Sequence, residues 1–464
     1  MNEAKTPSLH GRIALYAGPI LAATIWTTMT GSGLSHEMAW TAAITVICAI
    51  WWIFEAIPIP ATSLLPLAGL PLFGILTPNQ VGEAYGSPLI LLMLGGFMLS
   101  TALARSGVHR RLALAMVGWF GGHAGRQLVL GFMVASAVLS MWISNVATAL
   151  MLLPIALAIC EKLETRRMKV MLMLSIMYGC SIGGVGTPIG TPPNLIFMRI
   201  FAETTGYEPT FTEWMGWAMP VVVIMIPLAA LWLSRGMPKG DKIDLPDAGP
   251  WRSEEIRTLT VFVITALLWI TRKEPFGGWS ATLGLQSAND ASVALIAVIT
   301  LFLIPNGKGE KLLNWETAVS IPWGVLILFG GGVAIALGFA ESGLSQLVGK
   351  ALVGLSALPI VLVIVAICLA VSFLTEITSN TATTALLMPI LAAGSIAAGI
   401  DPKLLMIPAT ISASFAFMLP AATGPNAVMY GSGALTVEEM AKEGFVLNLI
   451  GAVVISTVLS WLLL

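Results

Sequence analysis

Charged side chains are scarce in this chain. Only 10% of its 464 residues are Asp, Glu, Lys or Arg, whereas soluble domains carry about 25%. The net charge of −1 lacks the basic excess with which nucleic-acid-binding proteins contact phosphates. Hydrophobic residues make up 57% of the chain, and the mean hydropathy is +0.89. The composition predicts an integral membrane protein with no nucleic-acid partner.

Cysteine and histidine are also rare, with four of each. The cysteines lie in apolar segments without a CxxC pair, which argues against a disulfide framework or a zinc site and predicts buried thiols. The histidines lack metal-ligand spacing, and no Ser/His, Asp/Asp or HExxH arrangement lies within the apolar runs. We therefore predict that the chain is not an enzyme. The cysteines are Cys48, Cys160, Cys180 and Cys368.

Apolar runs long enough to cross a bilayer as helices follow one another along the chain. The uninterrupted runs are about 13–30, 38–57, 60–74, 88–105, 217–235, 256–271, 291–305, 323–340 and 445–464. Four further runs, at 128–160, 170–203, 357–400 and 403–434, carry a polar or Gly/Pro break in the middle. Breaks at membrane depth are tolerated only where they are buried in protein or line a cavity. We therefore expect the functional residues at these breaks.

The distribution of Lys and Arg favours one topology. If 128–160 and 357–400 are re-entrant hairpins, eleven spans remain and 18 of the 23 Lys and Arg residues lie inside. The positive-inside rule expects such an excess, and counting both hairpins as full spans weakens it. We therefore predict an all-α polytopic membrane protein with about 11 transmembrane helices and two re-entrant hairpins. Its N-terminus is expected in the cytoplasm and its C-terminus outside.

Three landmarks occur twice, in the same order. SNVATALMLLPI (144–155) resembles SNTATTALLMPI (379–390). LLMLGGFMLSTALARSG (91–107) resembles LILFGGGVAIALGFAESG (326–343), and GTPPN (190–194) resembles ATGPN (422–426). The cations beside the two hairpins place them on opposite sides of the membrane. The chain is therefore predicted to contain two inverted-topology repeats, a signature of secondary transporters. The paired glycines of the second landmark are predicted to allow close helix packing.

The repeated motifs suit a binding site. Ser144 and Ser379 can cap the second arms of the hairpins, which leaves backbone N–H groups to meet an anion. Carbonyl groups that end the first arms can face a small cation. For a single motif, polar residues that only join helices are the alternative, and a simple proline kink is the alternative for the breaks at 183–194 and 420–426. Duplication favours binding, and helix is expected to resume near Leu195 and Ala427.

Charge at the breaks indicates the kind of ligand. The break segments contain no Lys, Arg or His and a single carboxylate, Glu376. Four half-helix N-termini, at about +0.5 charge each, would together supply about +2 if they converge. This arrangement suits a small dianion with co-bound cations. Glu376 itself either balances cation charge or hydrogen-bonds the backbone at the turn.

The paired SN motifs, GTPPN, and Ser414-x-x-Phe417-x-x-Pro420 leading to Asn426 resemble the divalent anion:sodium symporter family over about residues 13–464. The resemblance implies a homodimer in the lipid bilayer, with a fixed scaffold and a mobile transport domain that works as an elevator. The scaffold is expected at 13–126 and 256–352, the transport domain at 127–236 and 357–464, and a cytoplasmic linker at 237–255.

The resemblance also implies the binding residues. One sodium site would use Ser140, Ser144, Asn145 and the backbone of Gly190, and a second would use Thr375, Thr378, Asn380 and Ala422, so at least two Na⁺ ions would be co-transported. Substrate carboxylates would meet Ser144, Asn145, Ser379, Asn380, Thr381 and Thr423, with Pro192 and Pro425 shaping the floor. Two positions depart from the family pattern: Val146 stands where a full first motif has Thr, and TGPN (423–426) stands where TPPN is typical.

Sodium-coupled symport of C4-dicarboxylates such as succinate, malate or fumarate is the function that the resemblance favours. A bacterial inner (plasma) membrane is the expected location. Sodium-independent dicarboxylate exchange and transport of sulfate or a tricarboxylate stay open. A passive channel is disfavoured because the hairpins close from opposite sides, whereas channels usually line their pores with rings of charge or carbonyls.

Overall fold

The computed structural model describes residues 9–120, 125–163, 165–237, 247–273, 277–347 and 358–464. In these ranges the β-structure is a single isolated bridge between Pro305 and Lys311, and the rest of the regular structure is helical. The first half contains helices Leu9–Gly31, His36–Phe54, Ile59–Thr62, Leu64–Leu72, Pro78–Tyr85, Pro88–Ser106, Val108–Trp119, Arg126–Ser140, Asn145–Cys160, Arg166–Gly184, Pro192–Thr205 and Phe211–Leu233. The second half contains helices Ser253–Ile270, Gly278–Thr282, Asp290–Leu303, Trp315–Ala318, Trp323–Glu341, Ile360–Glu376, Asn380–Ala397, Pro402–Ser414, Gly424–Gly431 and Val437–Leu463.

Helices occupy every predicted apolar run, so the all-helical architecture is confirmed. Seven helices of the described chain are long and apolar enough to cross a membrane. The arms of the hairpins and several other apolar helices are shorter than this criterion requires, so the count of eleven spans stays a prediction. All four cysteines are buried and unpaired, as expected. The long spans are His10–Gly31, His36–Phe54, Pro78–Ser106, Phe211–Leu233, Trp323–Glu341, Asn380–Ala397 and Val437–Leu463.

Two hairpins and two broken helices occupy the interrupted runs. Hairpin 1 consists of Arg126–Ser140 and Asn145–Cys160, and hairpin 2 of Ile360–Glu376 and Asn380–Ala397. Broken helix 1 consists of Arg166–Gly184 and Pro192–Thr205, and broken helix 2 of Pro402–Ser414 and Gly424–Gly431. Each of the four interrupted runs therefore contains a break, as the sequence predicts.

The boundaries of the breaks differ from the prediction. The second segments of the broken helices begin at Pro192 and Gly424, one turn before the predicted Leu195 and Ala427. The reason is that proline fits the first turn of a helix, where its missing N–H is not needed. The first segment of broken helix 2 also stops earlier than predicted, at Ser414. The N–H groups of residues 417–419 bond to the Glu376 carboxylate instead of to helical carbonyls.

The two halves of the chain pack in a crossed arrangement. The first arm of each hairpin packs on the first segment of the broken helix that follows it. The second arm packs both on that first segment and on the second segment of the broken helix in the other half: Asn145–Cys160 on Gly424–Gly431, and Asn380–Ala397 on Pro192–Thr205. Outside the hairpins, Pro88–Ser106 similarly packs on Asp290–Leu303. Neither half therefore completes its packing alone.

Glycine allows the closest helix contacts, as predicted for the paired-glycine runs. A Cβ added to Gly95 would lie 2.7 Å from the Cβ of Ala294. Gly183, in broken helix 1, is even more tightly packed, because an added Cβ would lie 2.2 Å from the carbonyl oxygen of Ala137 in hairpin 1. Small residues at such positions let helix backbones approach one another, which is how helices associate in membranes.

The predicted linker at 237–255 is described only in part, since residues 238–246 lie outside the described ranges, as do residues 348–357 near the end of the predicted scaffold. Residues 247–252 are not helical, and a helix begins at Ser253. The Arg111 guanidinium donates hydrogen bonds to the carbonyls of Gly249 (2.8 Å) and Pro250 (2.7 Å) and to Glu255 Oε2 (3.1 Å). Arg252 Nη2 donates to Glu255 Oε1 at 2.9 Å and to the carbonyl of Ser106, outside the segment, at 2.8 Å. Two arginines therefore fasten this segment to the rest of the protein.

Candidate functional site

A cavity of about 430 Å³ lies where both hairpins and both broken helices meet. Its wall includes residues from the first turn of all four helices that begin at the breaks: Asn145, Pro192, Asn380 and Gly424. The described lining residues carry no formal charge. The sequence-based condition for a dianion site, convergence of four helix N-termini, is therefore met. The remaining lining residues are Phe97, Ser144, Val146, Ala147, Leu150, Gly190, Thr191, Ser320, Pro322, Val325, Thr381, Thr423 and Pro425.

Hairpin 1 presents its cap to this cavity. Ser144 has an extended backbone (φ −54°, ψ 141°), and its Oγ accepts a hydrogen bond from the N–H of Ala147 at 3.3 Å. Its own N–H donates to Ser100 Oγ at 3.3 Å. The serine thus performs the predicted capping role, which holds the first turn of Asn145–Cys160 open toward the cavity.

Three of the four residues predicted for the first sodium site come together behind this cap. Ser140 Oγ donates to Asn145 Oδ1 at 2.6 Å. Gly190 lies against two carbonyls, since an added Cβ would be 2.4 Å from Gly184 O and 3.0 Å from Ser140 O. Hydroxyl, amide and carbonyl oxygens therefore gather at one point, and uncharged oxygens of these kinds are suitable ligands for a hard cation.

The residues predicted for the second sodium site lie around the tip of hairpin 2, but their side chains have separate partners. Thr375 Oγ1 donates to Ala413 O at 2.9 Å, and Thr378 Oγ1 donates to Leu374 O at 2.9 Å. Asn380 Oδ1 accepts from the N–H of Thr381 at 2.7 Å. Ala422 is buried next to Thr423, at the end of the break. The two predicted sodium sites therefore differ in how closely their oxygens converge.

Ser379 does not cap its helix in the way that was predicted. Its backbone is at the N-cap position, but its side chain accepts no capping hydrogen bond. The reason is that Asn380 turns back and takes the N–H and hydroxyl of Thr381 instead, at 2.7 and 3.1 Å. Asn380, Thr381 and Thr423 line the cavity, whereas Ser379 is not among the lining residues.

The two breaks share one hydrogen-bonding pattern. Asn194 Nδ2 donates to Gly184 O at 3.0 Å and to Thr187 O at 2.7 Å. In the second repeat the corresponding Asn426 Nδ2 donates to the carbonyls of Ala416 (3.0 Å) and Leu419 (2.9 Å), which occupy the corresponding positions. Both asparagines are fully buried. Each asparagine thus closes a turn that replaces the missing helical hydrogen bonds.

Glu376 hydrogen-bonds the backbone, which is one of the two roles left open by the sequence. It is 3% exposed. Its Oε1 accepts from the N–H of Phe417 at 2.7 Å and from Asn448 Nδ2 at 2.7 Å, and its Oε2 accepts from the N–H of Leu419 at 2.9 Å. The carboxylate thereby ties the end of the first arm of hairpin 2 to the unwound part of broken helix 2.

Several lining residues were not predicted from the sequence. Phe97, Ser320, Pro322 and Val325 come from outside the hairpins and broken helices and form the opposite wall. Phe97 directly follows the paired glycines Gly95 and Gly96, and this was the one available signal. Nothing in the sequence near Ser320 distinguishes it from other residues that precede an apolar run.

Comparison with known proteins agrees with this architecture. The family model described as sodium:sulfate symporter transmembrane region matches residues 12–464. Proteins named sodium-dependent dicarboxylate transporter SdcS from Staphylococcus aureus strains USA300 and MRSA252 are each 40% identical over 488 residues, covering 100% of this chain and 93% of theirs. The solved structure of the Alcanivorax borkumensis YdaH transporter, described as having an unusual topology, aligns with a TM-score of 0.62 at 15% identity over 90% of this chain and 98% of that chain, which is a likeness of fold alone. The chain is thus a multi-pass membrane protein, and it belongs to the divalent anion:sodium symporter family.

Proposed function

We propose that the chain is a secondary active transporter that couples Na⁺ to the uptake of C4-dicarboxylates such as succinate, malate and fumarate. The observation that carries the proposal is the convergence of four helix N-termini on one cavity without charged side chains. Four such ends supply about +2 of fixed partial charge, which matches two carboxylates. The SdcS proteins, named as sodium-dependent dicarboxylate transporters, are 40% identical to the whole chain and support this substrate class.

The size and polarity of the cavity also favour a small dianion. Its volume of about 430 Å³ lies in the lower part of the range of about 300–1,000 Å³ for small-molecule sites. Proline, valine and phenylalanine side chains form much of the wall, so a compact hydrocarbon backbone between two carboxylates is better accommodated than a tricarboxylate. In this proposal Ser144, Asn145, Asn380, Thr381 and Thr423 bind the carboxylates, and Pro192 and Pro425 shape the floor. Ser379 would join them only by turning toward the cavity.

Sodium would bind behind the hairpin tips. The oxygen cluster of Ser140, Asn145 and Gly190, with Ser144, is proposed as one site. Bound there, Na⁺ would fix the first turn of hairpin 1 and thereby set the N–H groups that face the substrate. The second ion is assigned to Thr375, Thr378, Asn380 and Ala422, where side chains must reorient from their present partners. At least two ions would therefore accompany each dianion.

The location of the cavity supports an elevator mechanism in a homodimer. Phe97, Ser320, Pro322 and Val325 belong to the proposed scaffold, whereas the other lining residues belong to the proposed transport domain. A cavity at this boundary can move across the membrane when one domain slides along the other. The excess of Lys and Arg on one side supports an N-terminus in the cytoplasm and a C-terminus outside a plasma membrane, and the ion pairs Arg166–Glu439 (3.0 Å) and Arg105–Glu310 (2.5 Å) each join two segments assigned to the same side.

Uptake of radiolabelled succinate into proteoliposomes tests the proposal. We expect accumulation with an inward Na⁺ gradient and little uptake when choline replaces Na⁺. Uptake that is independent of Na⁺ but requires dicarboxylate inside the proteoliposomes would identify an exchanger instead. Absence of succinate uptake together with sulfate-inhibitable binding would reject dicarboxylates as the substrate.

The binding residues have a separate test. Asn145→Ala and Asn380→Ala should each abolish succinate uptake, because each removes an amide that faces both the cavity and a proposed sodium site. Asn79→Ala is the matched control, since Asn79 is exposed on helix Pro78–Tyr85 away from the cavity. Near-normal uptake by a folded Asn145 or Asn380 variant would show that these residues were assigned wrongly.

A further inference from the structure

One contact in the cavity wall joins the two positions that depart from the family pattern. Val146 is 41% exposed and lines the cavity. A Cβ added to Gly424 would lie 2.1 Å from Val146 Cγ2, well inside the van der Waals contact distance of about 3.5–4.0 Å between carbons. The valine methyl group therefore occupies the space that any side chain at position 424 would need.

The other half of the site is built differently. When the two SN motifs and the two PN breaks are aligned, Val146 corresponds to Thr381, and Gly424 corresponds to Pro192. Thr381 and Pro192 also line the cavity, and their helices pack on one another. One end of the cavity thus pairs a hydroxyl-bearing side chain with a proline ring, whereas the other end pairs a methyl group with bare backbone.

We propose that Val146 and Gly424 act as a specificity-determining pair that sets the length of the dicarboxylate and makes the two ends of its site unequal. This inference rests on the proposed transport of dicarboxylates. Gly424 gives Val146 room to lie back in the wall, and the position of the valine methyl group then fixes the width at the hairpin 1 end. The carboxylate at that end relies on Ser144, Asn145 and backbone N–H groups, because position 146 offers no hydroxyl. The carboxylate at the other end has the Thr381 hydroxyl available.

Competition among dicarboxylates of different length tests the pair. Inhibition of labelled succinate uptake by malonate, succinate and glutarate is measured for each variant. Val146→Ala widens the cavity, so the inhibitory potency of glutarate should rise about tenfold relative to that of succinate. This is the effect of about one methylene in a fitted pocket. Gly424→Ala pushes Val146 into the cavity, so glutarate and succinate should become weaker inhibitors relative to malonate.

The double variant provides the sharpest test. With Val146→Ala, the methyl group at 2.1 Å is gone, and a Cβ on residue 424 would lie 3.4 Å from the remaining Cβ of residue 146, an ordinary contact. Val146→Ala combined with Gly424→Ala should therefore return the order of inhibition toward that of the wild type. Val146→Thr, which keeps the shape of valine, should leave the length order unchanged.

Gly431→Ala is the matched control, because this glycine ends the same helix and an added Cβ would meet nothing within 4 Å. If Gly424→Ala fails to fold, recovery of folded protein in the double variant reports on the same contact. If the wild type transports succinate but the relative potencies of malonate, succinate and glutarate are the same in all variants, the role of the Val146–Gly424 pair is rejected and the proposed function stands. Absence of any dicarboxylate uptake by the wild type would instead reject the proposed function, and the inference with it.

Discussion

At the scale of single residues, Glu376 is a buried carboxylate at the end of an apolar helix. A carboxylate within a membrane protein is costly unless several donors surround it. Here the backbone N–H groups of Phe417, Met418 and Leu419 and the amide of Asn448 all donate to it. These N–H groups follow the end of helix Pro402–Ser414, so the carboxylate substitutes for the carbonyls that a continuous helix would have supplied.

Replacing this carboxylate should loosen broken helix 2. Glu376→Gln retains one acceptor oxygen and turns an NH₂ group toward a backbone N–H, and a buried donor left unpaired costs about 1–3 kcal/mol. We expect a lower melting temperature and a higher Na⁺ concentration for half-maximal uptake, because Ala422 and Thr423 directly follow the segment that Glu376 holds. Glu438→Gln, at an exposed position, serves as the control. An unchanged sodium dependence and melting temperature would contradict this role.

At the scale of helices, the glycines of broken helix 1 decide how closely it packs on hairpin 1. A Cβ on Gly183 would lie 2.2 Å from the oxygen and 2.4 Å from the Cα of Ala137. Both atoms belong to backbone, so the clash cannot be relieved by a side-chain rotation. The segment that carries Ser140 toward the cavity is therefore positioned by the absence of a side chain on its neighbour.

Gly183→Ala should separate the two helices and destabilise the protein by about 1–3 kcal/mol, the usual cost of overpacking. The measurement is the melting temperature of detergent-solubilised protein. Gly216→Ala is matched to it, since Gly216 lies within helix Phe211–Leu233 and an added Cβ would meet nothing within 4 Å. That control should be neutral or stabilising by about 0.5–1 kcal/mol, because alanine favours helix over glycine. Equal stability of the two variants would contradict the packing argument.

Features encoded within one segment were predictable from the sequence. The SN motifs, the Gly/Pro breaks and the apolar runs each depend on neighbouring residues, and the structure places helix ends at all of them. The helices begin at Pro192 and Gly424, one turn before the apolar pattern resumes, because proline is preferred in a first helical turn.

Features that join distant segments could not be predicted in the same way. The contact of Val146 with Gly424 depends on how the two halves cross, and the bonds from Phe417 and Asn448 to Glu376 depend on how three separate segments of the second half pack together. The sequence shows that Val146 and Gly424 both differ from their counterparts in the other repeat, but it does not show that they touch. The wall formed by Phe97 and Val325 was missed for the same reason.

At the scale of the whole molecule, the two hairpins are predicted to enter the membrane from opposite sides. Single cysteines at the starts of Arg126–Ser140 and Pro402–Ser414 can test this. A membrane-impermeant maleimide should label Lys403→Cys in right-side-out vesicles and Arg126→Cys only in inside-out vesicles. Background should be low, because all four native cysteines are buried. Labelling of both positions from the same side would reject the inverted topology.

The segment that joins the two halves should respond to acid. Burial raises the pKa of Glu255, but hydrogen bonds from the backbone and guanidinium of Arg252 and from Arg111 outweigh burial and hold the pKa below its ordinary value. A lowered pKa stabilises the folded state above the ordinary pKa of glutamate, and this contribution is lost as the pH falls through the lowered pKa. The melting temperature of the wild type should therefore exceed that of Glu255→Gln at neutral pH, and the difference should shrink toward acid pH. A difference that does not vary with pH would contradict this linkage.

The crossed packing of the two halves also constrains how the protein is made. Asn145–Cys160 leaves the ribosome long before Gly424–Gly431, the helix on which it packs. Until the last part of the chain is synthesised, hairpin 1 has its first-half partners, such as Ser100 Oγ for the Ser144 N–H, but lacks its packing on Gly424–Gly431. During membrane insertion, hairpin 1 is therefore made before the helix that completes its packing. We expect an N-terminal half expressed alone to be recognised and degraded by membrane quality control.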